Sequence, residues 1–298
     1  MFTVPSEVAE IAFHNKAVVY AILFDAVAAT LKTIAADPSH LGGEIGFLAI
    51  LHTWGQALTH HPHVHCLVPG GALSPDGRWI GCRPNFFLPI HVLSRLFRRL
   101  FLERLAVAHA AGRLRFSGKL DGLDDASTFV AAVRKLRRKN WIVYAKPPFG
   151  SPEHVLAYLG RYTHRVAIAN SRLVSADETS VAFRWRDYRH GNASKLMSLN
   201  PHEFIRRFLI YSLPDGFHRI RHYGFLANGC RRARLATIRK LLGPPNPTAA
   251  ITGEVNKTTA VLPYFDPTRC PCCGGMLRIT AALPRWRIAR SQPWPDTS

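Results

Sequence analysis

The chain has 298 residues, 47% of them hydrophobic, and carries a formal charge of +20 from 39 Lys and Arg against 19 Asp and Glu. Length and apolar content exclude a wholly disordered chain, and a basic excess of this size calls for a polyanionic partner, of which nucleic acid is the usual one. A membrane is not expected: no apolar stretch free of charge reaches the ~20 residues of a spanning helix, and Met1 to Glu10 lack the basic-then-apolar order of a secretory leader.

In chain order, Ser6 to Ala36 reads as one long helix or two short ones, preceded by Pro5 and stopped by Asp37-Pro38. Ile45 to Thr53 is an apolar run that predicts a buried strand. After a loop at 54–62, His63 to Val68 predicts a second strand, and Arg78 to Cys82 a hairpin partner beyond the turn Ser74-Pro75-Asp76-Gly77. Basic helices are expected over Pro89–Gly112 and Ala126–Lys139, then a short strand over Trp141–Lys146. Pro152 at a first helical position starts a helix reaching about His164. Strands follow at 165–169, 181–186 and 194–199, and helices at 201–213 and 228–242. Segment 243–268, rich in Pro, Thr and Asn, reads as a linker or loose tail.

Chemistry concentrates in two places. His63-Val64-His65 sits in an expected strand, where residues two apart leave the same face. Two imidazoles on one side offer two nitrogen ligands to a divalent cation; the plainer reading is a His-rich surface turn. The second place is Tyr158-Leu159-Gly160-Arg161-Tyr162-Thr163-His164-Arg165. On a helix, Tyr158 and Tyr162 share a face, with Arg161 and Arg165 as a second pair beside them. Taken alone, such tyrosines more often pack as core. Beside a cation that polarises a phosphoryl oxygen they become covalent nucleophiles, and the arginines offset the charge that builds on phosphorus. Arg206, Arg207, Arg219 and Arg221 continue the basic character among Phe208, Tyr211, Phe217, Tyr223 and Phe225, a mixture suited to phosphate contact and base stacking.

The stretch His52-Thr53-Trp54-Gly55-Gln56 through His63-Val64-His65 to Gly71, together with Tyr158 to Arg165, resembles the HUH-endonuclease transposases of two-tyrosine, rolling-circle insertion sequences. So do His202 to Phe208 and Phe217 to Gly224. The resemblance spans roughly residues 2 to 280. It implies an α+β fold whose central antiparallel sheet carries the His-x-His pair, with flanking helices and a basic helical C-terminal part. It further implies His63 and His65 as ligands of Mg²⁺ or Mn²⁺ and Tyr158 and Tyr162 as nucleophiles. The expected activity is nicking and transfer of single-stranded transposon ends in the bacterial cytoplasm, at the nucleoid. A third ligand is needed, because two histidines hold a hard cation weakly. His52 is the first choice and Gln56 the other; His60 and His61 read as loop residues or DNA contacts.

The expected organisation is an N-terminal helical segment (1–40), the catalytic domain (41–200), a basic helical region (201–242) and a flexible tail (243–298). The family's usual N-terminal zinc module would end where this sequence starts, so a shortened form is expected. In the tail, Cys270 and Cys273 make a CxxC knuckle with no second pair following, and an incomplete zinc site is expected there. The alternatives are a non-catalytic DNA-binding remnant, a plasmid replication initiator or relaxase, and a barrel-type zinc hydrolase, which the adjacent hairpins and the charge oppose.

Overall fold

The structure, a computed structural model, describes residues 1–243 apart from 85, 150, 164–167, 188–190 and 192, with backbone alone at 161–163. Cys270, Cys273 and Arg165 lie outside the described residues, as do the side chains of Arg161 and Tyr162.

The chain begins as a two-residue strand, β1 (Phe2–Thr3), followed by α1 (Ser6–His14) and α2 (Lys16–Ala36). Two helices form where the sequence allowed one, because Asn15 turns its amide onto the backbone. Its Nδ2 donates to Ile11 O (3.0 Å) and Arg115 O (2.7 Å), and its Oδ1 accepts from Arg115 N at 2.7 Å. By length and composition α2 could cross a membrane. Tyr20, Leu23, Phe24 and Val27 are nevertheless buried within the protein, as in a core helix.

β2 (Phe47–Trp54) and β3 (His60–Leu67) form the centre of an antiparallel sheet ordered β1-β3-β2-β9, with β9 at Ile220–Tyr223. Strand alternation divides its residues cleanly. Phe47, Ala49, Leu51 and Val64 join the main core with α1, α2 and a third helix, α3 (Ile90–Ala110). Ile50, His52, His63 and His65 point to the opposite face. Burying the apolar row fixes the register, since a slip of one residue would turn every histidine into the core.

The hairpin β4 (Gly71–Leu73) and β5 (Trp79–Gly81) forms its own two-stranded sheet, so the neighbours of the His-bearing strand are β1 and β2. Trp79 lies against Gly71, where a Cβ would come within 2.4 Å of the indole. α4 (Ala126–Arg138) starts at Asp125, whose carboxylate accepts from Thr128 N at 2.7 Å. The strand expected over Trp141–Lys146 is reduced to a single bridge between Val143 and Phe2, because β1 offers only two residues to pair with.

α5 (Pro152–Thr163) begins at the expected proline and makes contact with β2. Of the next three strands, the first lies at Leu173–Ala176 (β6) rather than 165–169, where the described part, Ile168 and Ala169, is not strand. Ile168 is instead buried with Phe183, Leu58 and Tyr211. β7 (Val181–Asp187) and β8 (Ala193–Leu199) complete that sheet. α6 (Pro201–Leu209) packs Phe204 on Phe183 at 5.9 Å, and Asn200 caps it by accepting from His202 N.

Residues 201–242 are not only helical. Between α6 and α7 (Arg231–Leu242) runs β9, an edge strand of the central sheet. It ends at Gly224, with φ of +58°, where a Cβ would stand 1.7 Å from Ile45 O; only glycine lets the chain pass the start of β2 so closely.

Candidate active site

The antiparallel register of β2 and β3 sets His52 opposite His63 and Ile50 opposite His65. Opposed residues share a face with Cβ atoms ~4.5–5.5 Å apart, so three imidazoles converge. Ring centroids are 5.5 Å apart for His52–His63, 4.9 Å for His52–His65 and 5.0 Å for His63–His65. One potential ligand atom from each lies within 4.8 Å of the others, and all three residues are buried. Metal–nitrogen bonds of ~2.0–2.1 Å would set three such donors about 3.0–3.5 Å from one another, so the rings would close by up to about 1.5 Å on binding. Neutral imidazoles are donors that Mn²⁺ or Zn²⁺ accepts readily, whereas Mg²⁺ prefers oxygen.

The surroundings fix how the rings present themselves. His63 Nδ1 donates to its neighbour's carbonyl, His61 O, at 2.6 Å, which leaves Nε2 as the nitrogen to turn toward a cation. Trp54 stacks on His52 at 4.7 Å and 18°, after an irregularity in the ladder between the two residues that re-aims the strand. Trp54 also meets Tyr211 edge-on at 5.6 Å, which joins the site to the β6–β8 sheet.

α5 lies over this face and brings Tyr158 to the triad. The Tyr158 hydroxyl is 2.9 Å from His65 Nδ1, and Phe149 holds its ring at 5.2 Å. Tyr162 follows one helical turn later on the same backbone. Residues far apart in sequence, the His pair and Tyr158, thus lie together on one face of the sheet. The roles of Trp54, Phe149 and the His61 carbonyl were not read from the sequence. Trp54 alone had a signal, standing two residues after His52 on a strand.

Other expected contacts are placed differently. His60 is no loop residue: it sits in β3, its Nε2 2.8 Å from Tyr20 Oη and its Nδ1 3.0 Å from Ala9 O. His61 is also within β3. Arg206 pairs with Glu203 through both its Nε (2.6 Å) and Nη2 (2.7 Å). Arg207 shares that carboxylate at 2.7 Å and donates to Ala57 O at 3.3 Å. The Arg221 guanidinium lies 4.3 Å from the Phe24 ring centre and 5.1 Å from that of Phe217, a cation–π clamp between β9 and α2. The Arg219 carbonyl accepts from Leu51 N at 2.9 Å.

Burial pushes the imidazoles away from protonation. It lowers His63 to about 3 against the opposing pull of the His61 carbonyl, and His65 to about 2 with added repulsion from His63 and His52. Burial likewise lowers His60 to about 4, opposed by its bond to Ala9. In the unfolded chain these groups titrate near 6.5. Unfolding therefore takes up protons below that pH, and stability falls as pH drops from about 6.5 toward 4. Each group contributes up to about 1.4 kcal/mol per pH unit. Local opening of the pocket would reduce the total. Urea unfolding in EDTA at pH 7 and pH 5 is expected to show a lower midpoint at pH 5; equal midpoints would mean that the buried rings already carry protons in the fold.

Residues 46–234 match the Y2_Tnp family, described as "Putative transposase". The protein named "Putative transposase y4qJ" of Sinorhizobium fredii is 54% identical over 285 residues, covering 94% of this chain and 72% of that one. This chain belongs to the Y2 transposase family. A second member, "Transposase for insertion sequence element IS801" of Pseudomonas savastanoi pv. phaseolicola, is 26% identical over 291 residues, 95% of this chain and 67% of its own. No solved structure matches. The matched region of this Y2 transposase spans β2 through the start of α7. It contains the triad, both helix-borne tyrosines and β9. DNA is the partner that membership implies.

Proposed function

We propose that this Y2 transposase cuts and rejoins one DNA strand at a time through a 5′-phosphotyrosine link, in rolling-circle-type transposition. The observation that carries the reading is the 2.9 Å contact of Tyr158 Oη with His65, inside a cluster of three buried histidines. A divalent cation, Mg²⁺ or Mn²⁺, held by His52, His63 and His65 would polarise a non-bridging oxygen of the scissile phosphate.

The remaining chemistry belongs to side chains. Tyr158 Oη attacks phosphorus, giving its proton to water. The new tyrosine–phosphorus bond forms as the bond to the 3′-oxygen breaks, and that oxygen leaves as a hydroxyl after taking a proton from solvent. His65 Nδ1 orients the phenol oxygen. The phosphoester is conserved, so a 3′-hydroxyl reverses the step without a nucleotide cofactor. Tyr162, one turn along α5, supplies the second link of a cycle. Arg161, Arg165, Arg206, Arg207, Arg219 and Arg221 are the cations proposed to steer the strand, although Glu203, Phe24 and Phe217 already engage three of them. The substrate is a single-stranded transposon end and its target, in the bacterial cytoplasm.

Labelled single-stranded oligonucleotides incubated with the protein and Mn²⁺, then run on a denaturing gel, test this. A slowly migrating, protease-sensitive adduct that disappears with EDTA is expected. DNA binding without any adduct in Mn²⁺ or Mg²⁺ would instead identify a non-catalytic binder.

A further inference from the structure

β9 is an edge strand of the central sheet, and among the described residues no strand lies on its far side. Leu51 N donates to Arg219 O at 2.9 Å. In an antiparallel ladder this sets Arg219, Arg221 and Tyr223 with main-chain groups toward β2, and Ile220 and His222 with theirs toward the free edge. Among the described residues, no backbone group pairs with the outward N–H and C=O of Ile220 and His222.

That edge borders an open cleft of about 410 Å³ lined by Phe217, His218, Ile220, Arg221, His222 and Asn228, within the ~300–1,000 Å³ of ligand sites. Among the described residues that line it, none carries a carboxylate. Ile220 is opposite Ile50 and His222 opposite Leu48, so both side chains share the sheet face of His52 and His65. Since Arg219 pairs with Leu51, the next residue, His218, reaches the level of His52. The cleft therefore runs along the β9 edge from the level of His52, one strand away from the triad, and its lining belongs to 216–228.

We propose that this cleft seats a nucleotide of the DNA strand next to the scissile phosphate. The base edge bonds to the outward main chain of Ile220 and His222, and the phosphate faces His218 and Asn228. The reading rests on the DNA-processing role above and adds a sequence-reading element to it. An unpaired strand edge also suits a peptide strand or a second copy of the chain. A four-residue edge whose described lining holds His218, His222 and Asn228, in a chain of charge +20, favours the polyanion.

The outward N–H of His222 permits a specific test, because proline is tolerated at edge positions whose N–H faces away from the sheet. Affinity is read by fluorescence anisotropy on a fluorescein-labelled, mixed-sequence single strand of about 20 nucleotides, longer than the ~4–16 covered by one single-strand-binding fold. EDTA is present throughout, so that cutting plays no part. H222P is expected to bind about three- to tenfold more weakly than H222A, the difference reporting the main-chain donor. Equal affinity of H222P and H222A, with wild-type melting temperatures in both, overturns the proposal. If H222P does not fold, photocrosslinking of a 5-iodouracil-substituted strand to the wild-type protein decides: adducts within residues 216–228 support the cleft, and adducts confined elsewhere refute it. A peptide or second copy at β9 would give variants that change oligomeric state and leave DNA affinity untouched, which also refutes it. Wild-type protein that crosslinks at β9 yet never forms the covalent adduct would end the nicking proposal and leave this one standing.

Discussion

Replacing Tyr158 with phenylalanine is expected to lower covalent adduct formation by about 10⁴-fold or more, the scale on which loss of a catalytic nucleophile is measured. The substitution removes one oxygen. The ring keeps its place against Phe149, 5.2 Å away, and the hydrogen bond to His65 is lost. Stability should fall by about 1–3 kcal/mol, the cost of leaving a buried imidazole nitrogen without this partner, and Mn²⁺ binding should persist because the three imidazoles are untouched. That combination, fold and metal retained with the adduct gone, separates a nucleophile from a packing residue. Tyr162 makes the outcome informative in another way. If it can attack the same phosphate, Y158F retains a weaker adduct whose tryptic peptide carries Tyr162, and only Y158F/Y162F is inert. A double variant that still forms an adduct would show that neither phenol is the nucleophile. The check is quantitative adduct yield on a denaturing gel, with peptide mapping of the labelled product.

How far the site was visible in the sequence depends on the range of the interactions that build it. His63-Val64-His65 was legible because strand alternation is local: Val64 is fully buried with the main core while its neighbours face away. His52 was legible only as a candidate. What selects it over Gln56 is cross-strand register, fixed by burial of Phe47, Ala49 and Leu51 on the far face, and no local pattern encodes register. Gln56 falls beyond the end of β2, in the turn to β3, where its carbonyl accepts from Arg172. His60 misled because a histidine two residues before a proline reads as loop, yet Tyr20 and the Ala9 carbonyl hold it from 40 and 51 residues away. β9 was missed for a related reason. Four residues between two helical patterns carry little periodicity, and Ile220–Tyr223 becomes a strand only because β2 offers it an edge. Arg221 shows what charge alone leaves out: read as a DNA contact, its guanidinium is also flanked by Phe24 and Phe217. Pro152 marked its helix start correctly, and Asp125 and Asn200 cap the helices that follow them, since capping is decided within one turn.

Loss of His65 should abolish metal binding more completely than loss of any outer partner. Removing a group that only orients a ligand costs ~10–100-fold in affinity, and H65A removes a donor itself while also freeing the Tyr158 hydroxyl from its 2.9 Å partner. Saturating Mn²⁺ at about 100 times Kd should stabilise the wild-type protein by about 2.7 kcal/mol, visible as a rise in melting temperature, with no comparable rise in H52A, H63A or H65A. Adduct formation should fall with it. A misfolded variant would lose activity too, so the distinguishing result is rescue: if the two remaining imidazoles still hold the ion weakly, millimolar Mn²⁺ restores part of the adduct in H52A, and Mg²⁺ restores less because nitrogen donors suit it poorly. The three histidines share one cation, so their effects cannot add. Once one donor is gone, removing a second should cost little more, which a double-mutant cycle on H52A/H65A would reveal as strong coupling. Additive losses, or undiminished Mn²⁺ stabilisation in any of the three, would place the cation somewhere other than between β2 and β3. They would also leave Tyr158 without the electrophile activation that its position beside His65 otherwise provides.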